Sequence, residues 1–105
     1  MSNIYSNIPN TLPQEIFTDL LKTEHLRVER IVSDGHSSPE SGWYDQNENE
    51  WVIVLQGQGV LEFEDGRIIT LNVGDHHNIK AGEKHKVLST SANEKTIWLA
   101  LFYSK

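Results

Sequence analysis

Beyond residue 25 the sequence reads as short strands separated by turn signals, which points to a sandwich or a barrel. Asp65-Gly66, set between Glu62-Phe63-Glu64 and Ile68-Ile69, is the strongest of these signals. A type I′ hairpin turn needs positive φ at both central residues, and this pair tolerates it. Val73-Gly74-Asp75 and Ala81-Gly82-Glu83 mark two further turns, and residues 33–49 are polar and turn-rich. Leu26, Val28 and Val32 alternate with Arg27 and Glu29, the period of a half-buried strand. Trp51 to Leu55 and Thr96 to Tyr103 are apolar at successive positions, so each should be a strand covered on both faces.

The first 25 residues carry the one helix signal. Thr11-Leu12-Pro13-Gln14 has the form of a capping box with an early proline, and Ile16, Phe17, Leu20 and Leu21 follow at helical spacing. The expectation is a short helix over residues 13–22 in an N-terminal segment, 1–25, ahead of one β-domain spanning 26–105.

With 105 residues the chain is about one domain, and its hydrophobic fraction of 37% is ordinary for a folded protein. No apolar run approaches a membrane span, and residues 1–5 lack the basic and apolar regions of a signal peptide. The absence of cysteine removes disulfides, thiolate metal sites and cysteine nucleophiles, and it fits a reducing, cytoplasmic setting. A net charge of −6 without a basic cluster argues against nucleic acid as a partner and for a small-molecule ligand.

From Gly42 to His85 the chain resembles the two motifs of the cupin superfamily. Glu50, the six residues Trp51 to Gln56, and Gly57 match the second half of the first motif. Gly74, Gly82 and His85 match the second motif. The His-x-His pair of the first motif is absent. Its places fall on Trp43 and Asp45, or on Tyr44 and Gln46, depending on the gap. Lys80 stands where the second motif has proline, and Ser89 where it has asparagine. The runs Gly42 to Gln46, Asn49-Glu50-Trp51 and Thr96 to Ala100 are similar to a subgroup of small single-domain cupins. The resemblance implies an all-β jelly-roll barrel with its site inside.

It also implies a metal centre. In metal-binding cupins two histidines, a glutamate and a further histidine hold a divalent ion, and Glu50 and His85 occupy the last two roles. Asp45 is the natural substitute for a missing histidine, Gln46 a poorer one, and His77 and His36 are further candidates. Alternation along the strands puts Glu50, Val52, Val54 and Gln56 inside, with Trp51, Ile53 and Leu55 outside. It puts Val87 and Ser89 on the His85 face, and it brings His77 inward with Ile79. An Asp45, Glu50, His77, His85 set suits Mn(II), Fe(II), Zn(II) or Ni(II), with positions left for substrate. Trp43 and Tyr44 would sit at the barrel mouth, with Gln46 and His36, as ligand contacts, whereas Trp51 and Trp98 are packing residues.

Each of these residues also has a plainer use, since a carboxylate opening a strand is ordinarily solvated or paired and a strand histidine ordinarily completes a hydrogen-bond network. Three functions follow: a metal-binding cupin with a small polar ligand, with enzymatic activity left open; a metal-free module for a sugar or organic acid; and a structural or regulatory dimer. The doubly apolar strands favour a homodimer in any of them.

Overall fold

The computed structural model describes residues 2–38 and 42–104. Eight strands form it: β1 (Ile16–Lys22), β2 (Leu26–Ser33), β3 (Asn49–Gln56), β4 (Gly59–Phe63), β5 (Ile68–Leu71), β6 (His76–Ile79), β7 (His85–Thr90) and β8 (Thr96–Tyr103). They make a five-stranded sheet, β1-β2-β8-β3-β6, and a three-stranded sheet, β5-β4-β7, with every neighbouring pair antiparallel. The inner faces of the two sheets enclose one core, in which Val52, Val54, Leu61, Phe63, Ile79, Trp98 and Ala100 are buried.

The N-terminal helix is absent; residues 16–22 form edge strand β1 instead, and no helix occurs among the described residues. Ile16 pairs with Val32 and packs with Leu12 and Ile97 on the outer face, whereas Phe17 pairs with Ile31 on the inner one. A register shift between Asp19 and Leu21 leaves Leu20 as the extra residue of a bulge. Apolar residues at 16, 17, 20 and 21 mimic one helical stripe, but here they divide between two faces of a bulged strand.

Bulges also correct the alternation inferred for two strand ends. Val54 pairs with Trp98 but Gln56 with Ile97, so Leu55 is inserted and Gln56 leaves the inner face. Leu61 pairs with Val87 but Val60 with Ser89, so Leu88 is inserted and Ser89 is turned outward. Trp51, Ile53, Leu99 and Leu101 stay half-buried on the outside of the five-stranded sheet. The N-terminal segment covers the neighbouring part of that face. Leu12 packs there against Val32 and Ile97, and the buried Arg30 donates from Nη1 to the carbonyls of Ile4 and Ser6, at 3.2 and 2.7 Å.

Gly57 shows why the first motif ends in glycine. It turns the chain out of β3 at φ 80°, and a Cβ there would lie 2.5 Å from Thr96 Oγ1.

Candidate functional site

Glu50 and His85 reach one point from opposite sheets. Glu50 lies on the inner face of β3, between Phe102 of β8 and Ile79 of β6. His85 opens β7 opposite Phe63 of β4. Both are buried, and His85 Nε2 lies 3.6 Å from Glu50 Oε1, an ion-pair contact longer than a hydrogen bond.

The turn before β7 aims the imidazole. Gly82 takes φ 78°, and its N–H donates to the Gln46 carbonyl at 2.9 Å. Lys80, in the place of the motif proline, keeps a backbone N–H, which donates to Glu83 Oε1 at 3.2 Å and closes the turn from the side. His85 Nδ1 then donates to the Glu83 carbonyl at 2.9 Å, leaving Nε2 to face Glu50. Burial alone would push His85 down, but the Glu50 carboxylate and the Glu83 carbonyl more than offset it. The imidazole is held above the usual histidine value of 6.5.

Gln46 completes this pole by donating from Nε2 to Glu50 Oε1 at 3.1 Å. Tyr44 is fixed by a two-way backbone bridge to His85, with N···O distances of 2.7 and 3.2 Å, and its ring stands half-exposed at the mouth. The other sequence candidates lie elsewhere. Asp45 is exposed and does not line the cavity. Trp43 carries the Lys86 ammonium over its ring at 4.6 Å. His77 is on the inner face, opposite Val52, but packs edge-on against Phe63 and does not line the cavity. His36 accepts the Asp34 N–H at Nδ1, and its Nε2 lies 3.4 Å from the Pro13 carbonyl, tying a loop to the N-terminal segment.

The Glu50–His85 pole forms part of the wall of a cavity of about 220 Å³ between the sheets, far above the ~10–15 Å³ that one water needs. Much of the remaining wall comes from residues the sequence reading did not assign to a site. Arg27 and Glu29 of β2 face inward, with Arg27 Nη1 donating to Glu29 Oε2 at 2.7 Å and Nη2 to Glu48 Oε1 at 3.2 Å. The guanidinium lies 4.0 Å from the centre of the Phe102 ring. Burial pushes Glu29 above its usual range; Arg27 opposes that shift, while Asp19 and Glu50 add to it. At the other end Trp98 Nε1 donates to Ser33 Oγ, which donates to Glu15. The available signal was Ile31, an apolar residue in phase with Arg27 and Glu29; it marks their side of β2 as the inner one.

A cupin-domain family model matches residues 29–102. This chain belongs to the cupin family. A crystal structure from Ralstonia eutropha JMP134, described as a "putative mannose-6-phosphate isomerase", is 35% identical, covers 100% of this chain and 98% of its own, and superposes with a TM-score of 0.95. A cupin superfamily protein from Desulfitobacterium hafniense DCB-2 is 17% identical, with coverage of 93% and 84% and a TM-score of 0.75. An RmlC-like cupin from Methanocaldococcus jannaschii is 16% identical, with coverage of 92% and 86% and a TM-score of 0.71. No curated protein matches the sequence.

Many cupins hold a divalent ion, and the donor set here can be tested against one. A catalytic centre of this kind normally takes three protein ligands and keeps a position open. Glu50 and His85 supply two, and among the described residues no three His, Cys, Asp or Glu side chains gather at one point. Of the neighbours that complete the pole, Gln46 turns its amide N–H, not its oxygen, toward Glu50, and so supplies no donor atom there. The residues present do not fit a resident divalent metal.

Proposed function

We propose that this cupin is a small-molecule binding protein that works without a resident metal, its ligand held in the cavity between the sheets. The observation that carries the reading is the meeting of Glu50 and His85 at 3.6 Å in the wall of a largely apolar enclosure. A buried carboxylate and imidazole are costly to keep unless they serve each other or a guest. Here they form a polar pole that orients a ligand while hydrocarbon and aromatic walls supply contact area, the ordinary anatomy of a ligand pocket. Gln46 and Tyr44 complete the pole on the mouth side.

Two measurements on untagged protein test this. Elemental analysis is expected to find metal well below one equivalent, and small-molecule probes are expected to perturb the His85 ring resonances saturably. One equivalent of metal, lost in both Glu50→Ala and His85→Ala, would replace this reading with the metal-dependent one.

Pairing with a second copy remains a separate proposal, supported by the half-buried Trp51, Ile53, Leu99 and Leu101 on the outside of the larger sheet. Sedimentation equilibrium at high concentration should then give twice the chain mass; a strict monomer removes the proposal.

A further inference from the structure

We propose that the ligand of this cavity is an organic cation, a protonated amine on a compact hydrocarbon body, and not a phosphorylated or carboxylated molecule. The inference rests on the cavity being the ligand site and adds the charge class of what enters it.

Three carboxylates line the same enclosure: Glu15 ahead of β1, Glu29 on β2 and Glu50 on β3. Asp19 stands directly across from Glu29 in the β1–β2 ladder, an unfavourable juxtaposition of like charges. The positive groups of the lining are already engaged. Arg27 is shared between Glu29 and Glu48, and His85 gives Nδ1 to the Glu83 carbonyl and turns Nε2 to Glu50. A phosphate or carboxylate entering here would meet acceptors and a guanidinium that must first leave its partners. A cation meets carboxylates that each spend one oxygen within the protein, Glu15 on Ser33, Glu29 on Arg27 and Glu50 on Gln46, and aromatic faces in the same lining. Phe17, Tyr44 and Trp98 supply those faces, whose negative quadrupoles attract positive charge, while the Phe102 ring already carries the Arg27 guanidinium.

The shape of the lining separates an amine from a sugar. A polyol carries hydroxyls all around and needs a partner for each one it buries. This cavity gathers its polar groups at a few places, and Ile31, Val52, Leu61, Ile79 and Val87 make the rest hydrocarbon. That suits a molecule with one charged end and an apolar body.

Isothermal titration of the intact protein at pH 7 with cyclohexylamine, cyclohexanol and cyclohexanecarboxylate tests the idea, since the three share a ring and differ in charge. The amine is expected to bind about tenfold more tightly than the alcohol, in line with ion pairing and cation–π contact in a partly desolvated site. The carboxylate and mannose 6-phosphate are expected to show no saturable heat. Glu29→Gln should weaken the amine by about the same factor and leave the alcohol within about twofold, a split that a loss of packing alone would not produce. Tighter binding of the alcohol, the carboxylate or mannose 6-phosphate overturns the charge assignment and leaves the cavity reading standing. If no probe binds, or if the cavity-filling Leu61→Trp variant binds the amine unchanged, both fail.

Discussion

His77 and His85 stand beside the same buried ring, and their affinities for a proton move in opposite directions. The Phe63 centroid lies 5.6 Å from the His77 ring and 6.0 Å from the His85 ring. His85, the more deeply buried, is held above the usual 6.5 because a carboxylate faces one nitrogen and a carbonyl accepts from the other. His77 is held below it. Burial is the main cause, and its Nε2 is enclosed with no hydrogen-bond partner. Depth alone therefore does not decide whether an interior imidazole carries charge; the groups that face its nitrogens do.

The largest expected effect comes from removing the wall between them. Phe63→Ala should cost about 3–5 kcal/mol in urea unfolding, as large-to-small changes at a buried aromatic do. In the same variant water should reach His77 and bring its titration, followed by NMR, back toward 6.5. A His77 value that stays low would mean that Phe63 is not what keeps it dry.

Glu50→Ala comes next and should erase the contrast from the other side. Removing one partner of a buried pair leaves the other uncompensated and should cost about 3 kcal/mol near pH 6. The His85 titration should fall below 6.5, so that both imidazoles behave alike. Should His85 remain raised in that variant, the Glu83 carbonyl and not Glu50 would be its main support.

The pH dependence of stability separates the two histidines more gently. A raised His85 contributes stability that is fully present below 6.5 and is lost as pH rises through its folded value. A lowered His77 acts the opposite way, costing stability as pH falls from 6.5 toward its folded value, because the unfolded chain takes the proton first. His77→Leu should thus flatten the acid-side loss and be stabilising by about 1 kcal/mol near pH 5, since it also removes an enclosed nitrogen without a partner. His85→Gln should remove the acid-side gain. Unfolding midpoints of the three proteins between pH 5 and 8 decide this, and parallel profiles would refute it.

The smallest effect is expected at Gln46→Ala, which removes one part-buried amide donor from the Glu50 carboxylate and should cost about 0.5 kcal/mol by chemical denaturation, the low end for a hydrogen bond. No loss would show that water replaces the amide.

The legible part of this molecule was local. Glu50, Gly57, Gly82 and His85 could be placed because a motif spacing and a turn each specify a residue, whereas the gap before Glu50 left Gln46 and Asp45 as alternatives. Asp45 could not be placed from the sequence. Neighbours in an irregular segment have no fixed alternation, and the backbone bridge at Tyr44 with the bond from Gly82 to Gln46 turned the amide, not the carboxylate, toward Glu50. Arg27 and Glu29 were hidden for another reason. Leu26, Val28 and Val32 alternate with them and suggest the opposite face as the inner one, whereas pairing with Phe102 and Ala100 of β8 turns Arg27 and Glu29 toward the core.

The segment ahead of β2 has a practical bearing on how this protein should be handled. The family match begins at residue 29, yet Glu15, Phe17 and Arg27 precede it and line the enclosure, and Ile4 and Ser6 supply the oxygens that receive the Arg30 guanidinium. A recombinant version trimmed to the family boundary would lose an edge strand, open the chamber on one side and strand a cation in the wall. The opening residues are a fitted part of the wall, and an assay on a shortened chain would report on a differently shaped interior.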